Sequence, residues 1–272
     1  MYHQLLAKPK GDYDQTPAQF RAELESLYTA GYRTITATDL VSARVDVPAG
    51  TSPMVLTFDD STVSQYAQLP DGSVDPRCAV GILLDVARRH GEDHPVATFY
   101  VNAAPFGGKA SYLAGLSALG MELGDHTATH ANLRELDAAG VQRELVQGLE
   151  VIEHAAPTAS VTTMALPYGA EPHDRALAYE GSALGRSYHF AGVLLVGAGP
   201  AKSPYQKGFD GRALPRIRSG LRTGDQLFTS SYWLPRLAKT RFVSDGDPET
   251  ISFPRAERGL LDPRFVGRAR AY

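Results

Sequence analysis

The run "VATFYV", Val96 to Val101, carries β-favouring residues with no polar alternation. A strand with one wet face alternates apolar and polar residues. A continuous apolar run belongs to a strand covered on both faces, which is the habit of parallel sheets. Met54 to Phe58, a short "MELG", "VTTMAL" and "FAGVLLVG" read as further strands. Helical patterns separate them: about Pro76 to His90, "SYLAGLSAL", and Ala138 to His154. Strands alternating with helices at these spacings build βα units and a mainly parallel α/β sheet, open or closed into a barrel.

The N-terminal part carries clear local signals. In "QTPAQFRAELESLYTAGY", Thr16 is the N-cap, Pro17 takes the first helical position and Gln19 closes a capping box. Phe20, Leu24 and Leu27 form an apolar stripe, and Gly31 ends the helix. "RTITATDL" then alternates like a strand, with Asp39 already at a turn. After about Lys202 the chain is rich in Pro, Gly, Arg and Ser, and its periodicity is weak. That predicts an irregular wrap around one domain spanning 1–272.

Composition narrows the function. The 272 residues are 43% hydrophobic, enough for a sizeable core. Lys and Arg number 27 against 30 Asp and Glu, so no basic excess points to nucleic acid. The single cysteine, Cys78, excludes an internal disulfide and reads as a buried small residue opening a helix. No apolar run approaches the roughly 20 residues that cross a bilayer.

The chemistry sits where strands end. In parallel α/β folds, ligands bind at strand C-termini. "MVLTFDDST" runs from a strand into Asp59 and Asp60. Alone, such a pair equally well caps a turn. "GDHTATHANL" adds His126 and His130, four residues apart after a short strand. On a helix face or a tight turn, both imidazoles reach one ion. One carboxylate and two imidazoles make a three-ligand site with open positions, as catalytic metals have. The zincin pattern does not fit, because Thr127 follows His126. Non-haem iron oxygenases use a similar ligand set. The extra aspartate suits a hydrolase better, since water needs a base. A third stretch, "MALPYGAEP", ends a strand in a rigid Pro167-Tyr168-Gly169 turn. Its aromatic tip offers a backbone N–H and a ring for sugar stacking.

These stretches, in this order, resemble the polysaccharide deacetylases of carbohydrate esterase family 4. "TFDD", "HTATH" and "PYG" are similar to the family's first, second and third motifs, and "ATFYVN" to its intervening strand. The resemblance covers roughly residues 50 to 200. It implies a distorted (β/α) barrel of about seven parallel strands. It implies that Asp60, His126 and His130 bind one divalent ion, zinc by preference, and that Asp59 is the catalytic base. The Tyr168 N–H would share the oxyanion, and Pro167 and Tyr168 would border the substrate. The implied reaction removes acetyl groups from an N-acetylglucosamine-containing polysaccharide. An acetylxylan esterase, a cyclic-amide hydrolase or a non-catalytic glycan-binding domain are the alternatives.

Two departures stand out. Many members carry an arginine before the Pro-Tyr-Gly turn to orient the base, and here Ala165 and Leu166 occupy that segment. Arg216, in "LPRIRSG", is the replacement candidate. The family's late histidine, the general acid, is not evident near the C-terminus. "MYHQLL" and the helix and strand after it resemble permuted relatives acting on poly-N-acetylglucosamine, which carry the acid on the first strand. That makes His3 the candidate acid, with His173 and His189 as rivals. The substrate class implies the cell envelope or the extracellular space. No leader is visible, because Met1 is followed at once by Tyr2-His3-Gln4, so the expectation is either a leader removed before this numbering begins or, as the alternative, the cytoplasm.

Overall fold

The computed structural model describes residues 1–219 and 226–272. Five parallel strands form the central sheet: Thr57–Phe58, Thr98–Val101, Glu122–Asp125, Thr163–Ala165 and Gly192–Leu194. Their order in space is their order in the chain, so every crossover steps the same way and the sheet curls. Phe58 pairs with Phe99, Phe99 with Leu123, Asp125 with Met164, and Met164 with Val193. All of Thr98–Val101 is buried, as its continuous apolar run requires.

The sheet has five strands where about seven are expected. At each edge the pairing continues through one bridge only, Tyr2 to Phe58 and Leu214 to Leu194. Such segments are too short to form strands. They also meet each other, since the Ser219 N–H donates to the Met1 carbonyl at 2.9 Å.

The Thr16–Gln19 capping box is present on the helix Pro17–Thr29, whose Phe20 and Leu24 are fully buried. Cys78 is buried and caps the helix Ala79–Arg89. Met54 to Phe58 is not one strand. Ser52–Met54 pairs with Tyr32–Thr34, and only Thr57–Phe58 joins the central sheet. "RTITATDL" also divides. Its strand ends at Thr34, and Thr36 and Asp39 form a capping box that starts the helix Ala37–Val41. Short polar side chains that bond nearby backbone favour a cap over a strand. An antiparallel hairpin, Glu180–Ala183 with Arg186–His189, precedes the last central strand and was not foreseen from the sequence.

From Lys202 onward, where residues 220–225 lie outside the described ones, the chain has more regular structure than its weak periodicity suggests. It holds the helix Ser230–Leu237 and a parallel pair, Ile251–Phe253 with Ala269–Ala271. Tyr205 and Ile251 pack with Ile35, Val45 and Val47. Among the described residues, no helix is long and apolar enough to cross a membrane.

Candidate active site

Asp59 and Asp60 leave the strand Thr57–Phe58 at its C-terminal end and then diverge. Asp59 continues the sheet pairing, its N–H donating to the Tyr2 carbonyl at 3.0 Å, and is 1% exposed. Its two carboxylate oxygens each accept from Arg216, at 2.7 Å from Nη1 and 2.7 Å from Nη2. This fork-to-fork geometry is the strong, orientation-fixing form of an ion pair. Arg216 is held in turn by the Leu195 carbonyl at 2.6 Å and Thr57 Oγ1 at 3.2 Å. Its guanidinium lies 5.6 Å from the centre of the buried Tyr100 ring. Burial alone would raise the Asp59 pKa. Arg216 and, more weakly, His126 outweigh it and hold the carboxyl well below the usual range.

Asp60 turns the other way. It has φ 74°, and Ser61 follows at φ 45°, both in the left-handed region. Each such non-glycine residue costs on the order of 1–2 kcal/mol. Five of the eight described non-glycine residues with positive φ are Asp60, Ser61, Thr127, His130 and Tyr168. Strain therefore gathers where chemistry is expected. It is held by specific bonds: Phe106 N–H to the Ser61 carbonyl, and Gln65 Nε2 to the carbonyls of Asp59 and His3 at 2.5 and 2.6 Å.

The turn aims Asp60 Oδ1 at His126 Nε2, 3.4 Å away, and at His130 Nε2, 3.3 Å away. "HTATH" is a tight turn, with Thr127 and His130 left-handed. The buried Asp125 fixes it by accepting from the Thr127 N–H at 2.7 Å, and Thr127 Oγ1 accepts from Ala131 N at 3.2 Å. Glu144 on the helix Ala138–Ala155 holds Thr129 through N–H and hydroxyl, at 2.8 and 2.9 Å. Burial pushes the Asp125 carboxyl well above the usual range.

One ligand atom from each of Asp60, His126 and His130 lies within 4.8 Å of the others, so the three could hold a metal ion. The donor set fits. His126 Nδ1 lies 2.8 Å from the Ala165 carbonyl, so Nδ1 carries the hydrogen and Nε2 keeps its lone pair. Ala165, in the segment where an arginine was missed, thus contributes its backbone.

His3 Nε2 lies 4.0 Å from Asp59 Oδ2, and its ring packs 4.7 Å from that of Tyr13. Its rivals are not drawn in. His189 faces Glu180 at 3.8 Å on the hairpin and is 64% exposed, and His173 is exposed in a loop. Pro167 is buried at the strand end. Tyr168 is 67% exposed, with its ring 4.7 Å from that of His130. The sequence-predicted residues Asp59, Asp60, His126, His130, Tyr168, Arg216 and His3 therefore surround one place. Sequence reasoning missed Gln65, Thr57 and Tyr100. Gln65 sits in a polar loop with no periodicity, and nothing in the sequence flags it. Thr57, two residues before Asp59, was legible as part of the same strand end.

The polysaccharide deacetylase family model matches residues 46–188, just over half of the chain. A chitooligosaccharide deacetylase of Bradyrhizobium sp. (strain ANU 289) is 30% identical over 121 residues, 44% of this chain and 48% of that protein. The chain thus spans about half the length of the curated relatives it matches. Among solved structures, the Streptococcus pyogenes deacetylase PplD superposes with a TM-score of 0.60 at 17% identity, covering 81% of this chain and 90% of its own. IcaB from Ammonifex degensii superposes with a TM-score of 0.56 at 19% identity, covering 88% and 93%. At such identities the likeness is one of fold.

Proposed function

As this chain belongs to the polysaccharide deacetylase family, we propose that it is a metal-dependent hydrolase removing N-acetyl groups from an N-acetylglucosamine-containing polysaccharide. One juxtaposition supports this most. A buried carboxylate locked by Arg216 stands next in the chain to a carboxylate facing two imidazoles. A general base and a ligand set are thereby presented to the same space.

Asp60, His126 and His130 would hold the ion, zinc by preference for a nitrogen and oxygen set, with cobalt or iron also compatible. When bound, the ion supplies Lewis-acid polarisation of the acetyl carbonyl and acidifies the attacking water. Asp59 takes the water's proton at a carboxylate oxygen. Arg216 keeps that carboxylate ionised and oriented. The Tyr168 N–H donates to the acetyl oxygen as negative charge grows there. His3 gives a proton to the leaving nitrogen, so the products are acetate and a free amine. The exposed Tyr168 ring borders the sugar, whereas Pro167, expected to do the same, is buried and shapes the turn behind it. The edge segments at Tyr2 and Leu214 would complete a ring of about seven staves, and residues 1–272 would act as one catalytic domain. A glycan substrate would suit a location at the cell envelope or outside the cell.

Acetate release should be measured on chitooligosaccharides, peptidoglycan, poly-N-acetylglucosamine and acetylxylan, with metal-loaded and chelated protein. Metal-dependent release from an N-acetylated glycan is expected. Release from acetylxylan alone would make the enzyme an esterase. Binding without release from any of the four would leave a glycan-binding domain. The Asp59–Arg216 pair argues against that last outcome. Burying an ion pair is costly, and glycan binding alone does not need a base there.

A further inference from the structure

A cavity of about 810 Å³ lies between the C-terminal segment and the N-terminal part of the chain. Its volume is within the roughly 300–1,000 Å³ typical of small-molecule sites. Asp59, Asp60, His126 and His130 do not line it, but it adjoins the candidate active site, sharing Thr57 and Arg216 with it. Its walls are largely apolar, with Leu27, Ile35, Leu234, Leu237, Phe242 and Leu261 among them.

Charges in the lining are unevenly placed. Lys202, Lys239 and Arg241 line the cavity beside Arg216, which is committed to Asp59. Lys202 and Lys239 are exposed, which puts them at the mouth. The carboxylates are Glu23 and Glu257. Glu23 is engaged with Gln15 Nε2 at 2.9 Å and with the Tyr2 hydroxyl. Cations therefore outnumber free carboxylates at the rim.

We propose that this cavity binds a single-chain anionic amphiphile, with its hydrocarbon tail between the apolar walls and its anionic head against Lys202 and Lys239. The walls favour a tail because burying it removes apolar surface from water. The head stays at the mouth because an ionised group is not stripped of water cheaply. This site does not depend on the deacetylase reading.

Calorimetric titration of the full chain with octanoate, decanoate and dodecanoate, each below its micellar concentration, tests the site. One binding site is expected, tightening roughly fourfold per methylene. Lys202→Glu with Lys239→Glu should weaken dodecanoate at least tenfold and leave dodecanol unchanged. Leu237→Glu should abolish binding of all of them. Neither variant should change acetate release from a glycan. If Leu237→Glu does not fold, the lysine pair, both exposed, still decides. No saturable binding, affinity independent of chain length, or indifference to the lysine charges would overturn the proposal. Tighter binding of dodecanoyl lysophosphatidylglycerol than of dodecanoate would assign a membrane lipid, and the reverse order a free fatty acid.

Discussion

On the buried side of the site, Asp59 has both carboxylate oxygens matched to Arg216 at 2.7 Å. On the open side, one residue later, Asp60 faces two imidazole nitrogens at 3.4 and 3.3 Å. The first arrangement is electrostatically complete within the protein. The second gathers three electron-pair donors, which an ion would complete. Two adjacent, chemically identical side chains thus take different roles. The left-handed turn at Asp60 separates them by sending one carboxylate inward and the other outward.

The largest effect should come from the open side. His126→Ala should lose the bound divalent ion and, with it, acetate release down to background. The buried side should persist, so the variant should remain folded. Metal analysis with circular dichroism checks both points. A stoichiometric ion in the variant would show that the three residues are not the ligands. In wild-type protein, chelation should lower stability, by about 2.7 kcal/mol where the free ion had been at 100 times its Kd.

On the buried side, Asp59→Asn should keep the ion and lose roughly 10²–10⁴-fold in rate, the usual worth of a general base. Retained metal with near-normal turnover would make Asp59 structural and collapse the contrast between the two sides.

Arg216→Met should act less on the metal and more on the base. Removing one partner of a buried pair strands the other charge and costs about 3–5 kcal/mol, readable by urea denaturation. The pH dependence has a definite sign. Asp59 is held below its ordinary pKa in the folded protein. Its stabilising contribution is therefore complete above the unfolded carboxyl pKa, about 3.9, and is lost as pH falls below it. In Arg216→Met, burial is less opposed, so the base's pKa should rise. The acid limb of the rate profile should move to higher pH. An unmoved limb would mean that Arg216 only supports the fold.

Much of the site was legible because its parts follow strand ends and lie close together in the chain. Asp59 with Asp60, and His126 with His130, are local motifs on the rim of a sheet whose strands announce themselves as apolar runs. Arg216 is different. It meets Asp59 across 157 residues, and only the closing of the sheet's two edges brings them together. Its local context, a proline-flanked segment with one bridge to Leu194, carries no strand signal. The same shortness explains five strands where about seven were expected. The hairpin that carries His189 away was hidden too, because "EGSALGRSYH" is polar and packs one face only. Gln65 illustrates a further limit. Its amide joins the Asp59 and His3 carbonyls, a role set by two loops meeting in space.

The smallest expected effect belongs to His3, which tests whether the buried side also supplies an acid. Its Nε2 is 4.0 Å from Asp59 Oδ2, and its Nδ1 is buried without a partner among the described residues. Burial lowers its pKa below 6.5, opposed by Asp59 and then Asp60. The unfolded chain therefore binds this proton more readily. Stability from a neutral His3 is complete above about pH 6.5 and falls as the pH drops toward the folded pKa. His3→Ala should flatten that part of the stability profile. In turnover, deacetylation expels an amine, which leaves poorly unless protonated, whereas an activated aryl acetate expels a stable phenolate. His3→Ala should therefore lower the amide rate by about 10²-fold, the low end for proton transfer, and leave the aryl acetate rate nearly unchanged. Equal losses on both substrates would point to damaged structure or binding. An unchanged amide rate would remove His3 as the proton donor and leave the buried side with a base alone.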